Sequence, residues 1–358
     1  MAIFYVLVLI PMMMQHFTIR GYNFEYQRRN ERALSFFFCL LTLLVMLRHE
    51  SIGNDTANYI YYFKEFSRME WHSLEEKGLE IGFAIFTKTV SLISKNPQVY
   101  LGIAALAVST MIYPTYKRLC VDTSLTIVLY CLMSTFVMMF SGIRQMLAVG
   151  MGFLAYEFTR RHRFFPFLMT VLLSMTIHTS GFMLLVMYPL YHAKITKKWL
   201  YVVIPVLVVI FVFNRQVFLI LSVFLERYTR FESIVSSTGA YTMLILFAIF
   251  AAFAFLVPEE SAMDEEIIGL RNFLLLALVI QMFAPLHTLA MRMNYYYIIF
   301  IPLLLPKIIQ YRSHSWNQVA IWGRHVMVVF FLCYNLFNAA QGSSLSVFPY
   351  HFFWENVY

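Results

Sequence analysis

The chain has 358 residues, of which 60% are hydrophobic, 18% aromatic and only 13% charged. A soluble domain carries about 25% charged residues and is roughly half apolar, so these proportions exclude an ordinary water-soluble globule and describe a chain solvated by lipid. The formal net charge of +8 comes with no long basic or Gly-rich RNA-binding segment; it follows the positive-inside bias of membrane proteins and not a nucleic-acid partner.

Apolar runs fall at 2–14, 33–47, 98–114, 123–141, 143–159, 164–177, 180–193, 199–213, 240–257, 267–289, 293–311 and 322–340. At about 20 apolar residues per span, this predicts an all-α polytopic membrane protein with about twelve transmembrane helices. The N-terminal run has no basic n-region and no small-residue cleavage site, so it reads as a retained helix and not a signal peptide. A further run, 81–95, is short and carries Lys88 and Lys95. The four cysteines, Cys39, Cys120, Cys131 and Cys333, have no metal-ligand spacing and suggest no disulfide framework. No repeat or low-complexity tract divides the chain, so residues 1–358 are expected to form one integral membrane domain.

Orientation follows from the basic loops. Segments 15–32, with Arg20, Arg28, Arg29 and Arg32, RRHR at 160–163 and KITKK at 194–198 are predicted inside. Lys117 and Arg118 join them only if 81–95 does not cross. That run is then an interfacial or re-entrant helix, and 48–97 is one external region with short interfacial helices. Both termini fall outside. The acidic stretch PEESAMDEE at 258–266 falls inside, which the rule tolerates because acids weigh little in it.

This topology gathers polar residues on the external side without having used them. Arg48 and Asp55 follow the second run, Arg144 and Gln145 lie between two long runs, His178 sits in a tight turn, and Arg292 follows His287. An ionisable group within a span costs about 2.5–3.5 kcal/mol on insertion scales, so such residues are functional candidates. Three arginines on one face make an anion receptor, because a guanidinium presents a rigid fork to phosphate oxygens. Structural readings stay open beside this one. Arg48 also reads as a snorkelling anchor, Arg144 as paired with a backbone carbonyl, and His178 as a satisfied turn residue. Asp55 reads as a helix N-cap, and Tyr295–Tyr297 as an aromatic belt.

At these positions the sequence resembles the EpsG/Wzy-type family of bacterial polysaccharide polymerases. RHESIGNDTANYIYYFKEF matches the family's R-x-x-x-x-G-x-D-x-x-x-Y-x-x-x-F opening on Arg48, Gly53, Asp55, Tyr59 and Phe63. GLEIGF, IRQMLAVG, SMTIHTSGFMLL and AMRMNYYYIIFIPLLLP follow in the family's order and include Glu80, Arg144, Gln145, His178, Arg292 and Tyr296. Asn54 stands where the family often has Thr.

The resemblance implies a glycosyltransferase-C-like enzyme of the bacterial inner membrane, working at its outer (periplasmic) face. Its donor and acceptor would both be undecaprenyl-pyrophosphate-linked oligosaccharides, with membrane lipids as surroundings and chain-length regulator and flippase proteins as candidate partners. The product would be capsule, O-antigen or exopolysaccharide. Glycosyl transfer needs a stabilised leaving group and an activated hydroxyl. The sequence offers no cofactor motif and no metal-ligand spacing, so arginines are the natural neutralisers of the pyrophosphate. Arg144 and Arg292 are assigned to it, with Arg48 third. His178 is the first candidate for general base, with Asp55 and Glu80 behind it. Gln145, Tyr59 and Tyr296 complete the candidate substrate contacts. A lipid-linked glycan ligase, a flippase or other transporter, and a membrane acyltransferase are the competing readings. Transporter charges usually sit at the midplane, and an acyltransferase has no role for the arginines.

Overall fold

Among the described residues, four helices open on a side chain that accepts a backbone N–H a few residues on: Asn96 from Gln98, Asp122 from Leu125, Asp264 from Ile267, and His287 from Leu289. Each satisfies a donor that the first helical turn would otherwise leave unpaired. The computed structural model describes residues 2–16, 23–133, 135–224, 238–340 and 347–357. Their secondary structure is almost entirely helical, with extended pairing confined to isolated bridges. They form two compact units, residues 1–185 with 324–358, and residues 186–323.

The first unit contains α1 (Ala2–His16), α2 (Asn23–Met46), α3 (Thr56–Arg68), α4 (Ile81–Ile93), α5 (Pro97–Leu119), α6 (Thr123–Leu132), α7 (Thr135–Ser141), α8 (Ile143–Arg160) and α9 (Phe164–Ile177). α8 packs against α9 and α5, and α5 against α2. Tyr116 and Tyr130, both fully buried, pack edge-on against each other and against Phe38. The predicted boundary of the second run is displaced. Arg28, Arg29 and Arg32 belong to α2 and not to a loop, because an unbroken helical segment begins at Asn23. Arg20 lies outside the described residues.

Between α2 and α5 the chain builds a small layer of its own. Phe66 of α3, Leu74 and Ala84 form a buried cluster, flanked by Tyr62, Met69, Leu79 and Ile81. Lys88 and Lys95, which made α4 look unsuited to an apolar setting, are used locally. Lys88 Nζ donates to the carbonyls of Met69 (2.6 Å) and Ser67 (3.3 Å), and Lys95 Nζ also reaches Ser67 (3.2 Å). Both therefore place a cation on the carbonyl end of α3, where helix geometry favours it. Gly82 makes the approach of α4 to α9 possible. A Cβ there would lie 2.8 and 2.9 Å from the Thr176 backbone.

The second unit contains α10 (Met187–His192), α11 (Leu200–Val212), α12 (Asn214–Phe224), α13 (Thr238–Leu256), α14 (Glu265–Gln281), α15 (Thr288–Ile298), α16 (Ile301–Gln310) and the start of α17 (Asn317–Ala340). The run 267–289 is not one helix: α14 stops at Gln281 and α15 restarts at Thr288, with His287 accepting from Leu289 N. α12 matches no predicted run, because Asn214, Arg215 and Gln216 open it and interrupt the hydropathy.

The acidic stretch gains a physical role in this unit. Arg271, fully buried, donates to Glu260 (2.8 Å) and to the Ile195 carbonyl (2.7 Å), with its guanidinium 4.0 Å over the Phe255 ring. Glu260 also accepts the backbone N–H of Lys197, and Lys197 Nζ reaches the Pro258 carbonyl. Asp264 accepts the Tyr311 hydroxyl, and Lys307 reaches Glu266. The acids thus tie the basic loop at 194–198 to the ends of α14 and α16.

Among the described residues, three helices are long and apolar enough to cross a membrane, or up to six if each of three bent helix pairs forms one span. An all-helical chain with several such helices is compatible with a membrane protein. Replacing Gly82 with Ala should force α4 off α9 and lower the unfolding midpoint of the purified protein. Overpacking of this kind costs about 1–3 kcal/mol. A Gly82→Ala midpoint equal to wild type, measured by a thermal shift in detergent, would contradict that packing.

Candidate active site

The GLEIGF segment is built to present one carboxylate. Gly78 ends a 3-10 turn over 71–77 in the left-handed region (φ +66), which glycine adopts without strain. Two residues later Glu80 takes the N-cap position of α4, yet its side chain makes no capping bond. The carboxylate is directed elsewhere. Its Oε2 accepts Arg144 Nη1 at 2.6 Å, and its Oε1 accepts His178 (3.1 Å), Thr179 N (3.0 Å) and Thr179 Oγ1 (3.0 Å). Four donors fill the capacity of one carboxylate.

Each partner arrives by its own local logic. Arg144 is the second residue of α8, after Gly142 at the N-cap. Its guanidinium lies 5.7 Å from the Phe83 ring centre, one turn beyond Glu80. Its Nε is buried with no hydrogen-bond partner among the described residues. His178 ends α9 in an extended conformation, and its carbonyl accepts Gly181 N at 2.8 Å to close the turn. A Cβ at Gly181 would lie 3.0 Å from the Ser174 and Met175 backbone.

The first motif docks onto the same corner. Gly53 (φ +86) lies so close to the end of α7 that a Cβ would come within 2.9 Å of Ser141 Cα. Thr56 Oγ1 donates to the carbonyls of Ile52 (2.6 Å) and Phe140 (3.0 Å). This fixes α3 beside the start of α8 and places Tyr59 against Phe83, edge to face at 5.8 Å.

Electrostatics follow from these contacts. Burial alone would raise the Glu80 pKa. The hydrogen bonds from His178 and Thr179 and the Arg144 charge outweigh it and hold the carboxyl well below the usual carboxylate range. Burial pushes the Tyr59 phenol up, against the pull of the Arg144 charge. An acceptor so saturated and so acidic is a poor proton acceptor; its geometry suits positioning instead.

Arg48 lies deeper. It is 1% exposed, donates through Nη1 to the Val45 carbonyl, and leaves Nε and Nη2 without partners among the described residues. A small cavity of about 10 Å³ adjoins it, lined by Leu101, Ala105, Val108, Met139, Ile143 and Met146 among others. Burial lowers its pKa to about 10, partly countered by Tyr350, Tyr100 and Tyr59, so it stays cationic at neutral pH. This is a buried guanidinium and not a snorkelling one.

Asp55 occupies the N-cap position of α3 but makes no side-chain capping bond; it is half-buried. Gln145 is buried in α8, 3% exposed. The structure thus brings four of the five motifs together in the first unit. The fifth lies in the second unit, where Arg292 is exposed on α15 and Tyr296 is buried at 1%. Tyr295 and Tyr297 are buried beside it, and Tyr297 packs edge-on against Phe273. These rings form core and not an interfacial belt. Among the described residues no three His, Cys, Asp or Glu side chains cluster as metal ligands would.

A profile of the EpsG family matches residues 32–352, most of the chain. The chain belongs to the EpsG family. That family is Wzy-type polymerase-like, and membership supports a polysaccharide-polymerase-like function in general. With its apolar helices, it also suggests a multi-pass membrane protein. No curated protein and no solved structure matches this EpsG-family chain.

Sequence reasoning missed Thr179 and the pairing of Arg144 with Glu80. Thr179 had a signal, since it adjoins His178 in the HTSG turn. The pairing had none: 64 residues separate Arg144 from Glu80.

Glu80→Gln should destabilise the protein at neutral pH by about 1–3 kcal/mol, the usual cost of leaving buried donors poorly matched. Because the native carboxyl is held low, its stabilisation is present above the ordinary carboxylate pKa of about 4.3 and is lost as pH falls below it. Unfolding midpoints of wild type and Glu80→Gln should therefore differ most at pH 7 and converge towards pH 3. A gap independent of pH would contradict the assigned charge state.

Proposed function

We propose that this protein is a polysaccharide polymerase that transfers a growing glycan from undecaprenyl pyrophosphate onto a fresh lipid-linked repeat unit. The reaction takes place at the outer face of a bacterial inner membrane. The observation that carries this reading is the Glu80 carboxylate, which holds a histidine and an arginine of two separate family motifs at one point.

The chemistry divides between them. With His178 Nδ1–H donating to Glu80, the second ring nitrogen, Nε2, carries the lone pair and takes the proton of the attacking acceptor hydroxyl. Glu80 fixes the tautomer and stabilises the imidazolium that forms, as a carboxylate behind a catalytic histidine does. Arg144 serves the leaving pyrophosphate, whose charge grows as the glycosidic bond breaks. Its Nε–H, buried and without a hydrogen-bond partner among the described residues, is a donor held ready for a phosphate oxygen. Arg48 is the second cation of this unit on the proposed reading. Asp55, half-buried at the start of α3, is the alternative base. The transfer on this reading draws on arginine rather than a metal ion to neutralise the leaving group.

Arg144→Ala and His178→Ala, each expressed in place of the wild-type chain, should abolish the long-chain ladder of surface polysaccharide and leave a single lipid-linked repeat unit. General-base and electrostatic contributions of this kind are each worth about a hundredfold or more in rate. A normal ladder from either variant sinks the assignment, and repeat units trapped on the cytoplasmic side point to a flippase instead.

A further inference from the structure

The last residues of the chain lie outside every motif, yet they are fastened to the arginine region. Residues 347–355 run antiparallel to the segment that follows α2, with a bridge between Phe352 and Arg48. His49 N donates to His351 O and Phe353 N to Leu47 O, both at 2.9 Å, so the strap is held by backbone on either side of Arg48. Tyr350 Oη adds a bond to the Leu44 carbonyl at 2.7 Å, and its ring packs edge-on against Phe140, the residue that Thr56 caps. Phe348 meets Phe136, and Val347 is buried.

From this anchorage the strap carries aromatic rings outward. Tyr350 and Phe352 fall on one side by the alternation of extended backbone, with their rings 5.1 Å apart. A turn closed by Glu355 N to Phe352 O then folds Trp354 flat over Phe352, with ring centres 4.5 Å apart and planes within 8°. One face of the indole is covered by Phe352. The residue is still 58% exposed, and Phe353, packed edge-on against it, is 44% exposed. His351 and Glu355 form a polar pair on the same strap, Nδ1 to Oε2 at 3.0 Å.

We propose that this strap is a glycan-binding subsite, in which a pyranose ring of the saccharide chain stacks on the outer face of Trp354. The C–H groups on one face of a pyranose are weakly positive and match the negative face of an aromatic ring. The surrounding hydroxyls require donors and acceptors at the edge, and His351 and Glu355 supply them. Continuity with the site names the occupant. The ring series starts at the buried Arg48 and the end of α7, one residue before the helix that carries Arg144, and leads to solvent. A membrane-interface anchor needs an amphipathic ring but has no use for a backbone-docked strap with a hydrogen-bonded polar pair on its rim. The inference rests on the polymerase reading and adds to it a hold on the saccharide away from the reacting bond.

The test is equilibrium binding, by calorimetry, of surface polysaccharide released from source cells by mild acid, titrated into the full-length protein in detergent. Binding is read without turnover, so it is independent of the ladder assay on Arg144→Ala, and either reading can fail alone. Loss of one stacking partner worth about 1–1.5 kcal/mol is about a tenfold change. Trp354→Ala should weaken binding about tenfold and shorten the ladder, Trp354→Phe should restore most of the affinity, and Trp354→Leu should not. Trp322→Ala, on an exposed ring of α17, should bind as wild type does. No binding by wild type, wild-type affinity in Trp354→Ala, or equal affinity in the Leu and Phe variants would each overturn the proposal. Equal Leu and Phe variants would mark Trp354 as an apolar membrane anchor.

Discussion

The Glu80 carboxylate is the interaction on which the arrangement of the first unit turns. It lies at the start of α4, accepts from the start of α8 through Arg144 and from the end of α9 through His178 and Thr179, and is 17% exposed at its side chain. A charge in that setting is stable only when its acceptor positions are filled, and here they are. The glycines at 53, 78, 82 and 181 serve this one requirement. Two supply left-handed turns and two supply close contacts, so that three helix ends can converge on a single side chain.

That convergence separates the roles of the polar residues. One carboxylate cannot both orient a histidine and an arginine and accept a proton in the reaction. The donors around Glu80 commit it to orientation; on the proposed reading His178 then supplies the open nitrogen, and Arg144 an Nε–H that has no partner among the described residues. Arg48 differs in kind. Its guanidinium is enclosed by apolar side chains and by the strap at 347–355, so its charge acts on the site through a low-dielectric interior, where Coulomb interactions reach further than in water.

Charge also explains two features that composition made awkward. Lys88 sits in an apolar helix, and Lys95 just beyond its end, because the carbonyl end of α3 needs donors there. The acidic run at 258–266 stands among basic loops because Glu260 and Asp264 bind them, through Lys197, Arg271 and Tyr311. In both cases a residue placed unfavourably by hydropathy is placed favourably by a partner distant in sequence.

The amino-acid sequence by itself determined the class of protein, the helices whose apolar runs are continuous, and the motifs that mark its family. Composition and hydropathy are local properties, and the motifs around Arg144, His178 and Glu80 are short enough to be legible along the chain. Breaks such as that between α14 and α15 were not legible, because an apolar run looks the same whether or not its backbone hydrogen bonds are interrupted. Nor could the sequence say that Glu80 serves Arg144 and His178 together, that Tyr296 is core, or that the C-terminal aromatic strap docks on Arg48. Those facts depend on which distant groups must satisfy one another's buried hydrogen bonds and charges, and only the tertiary structure brings the partners within reach.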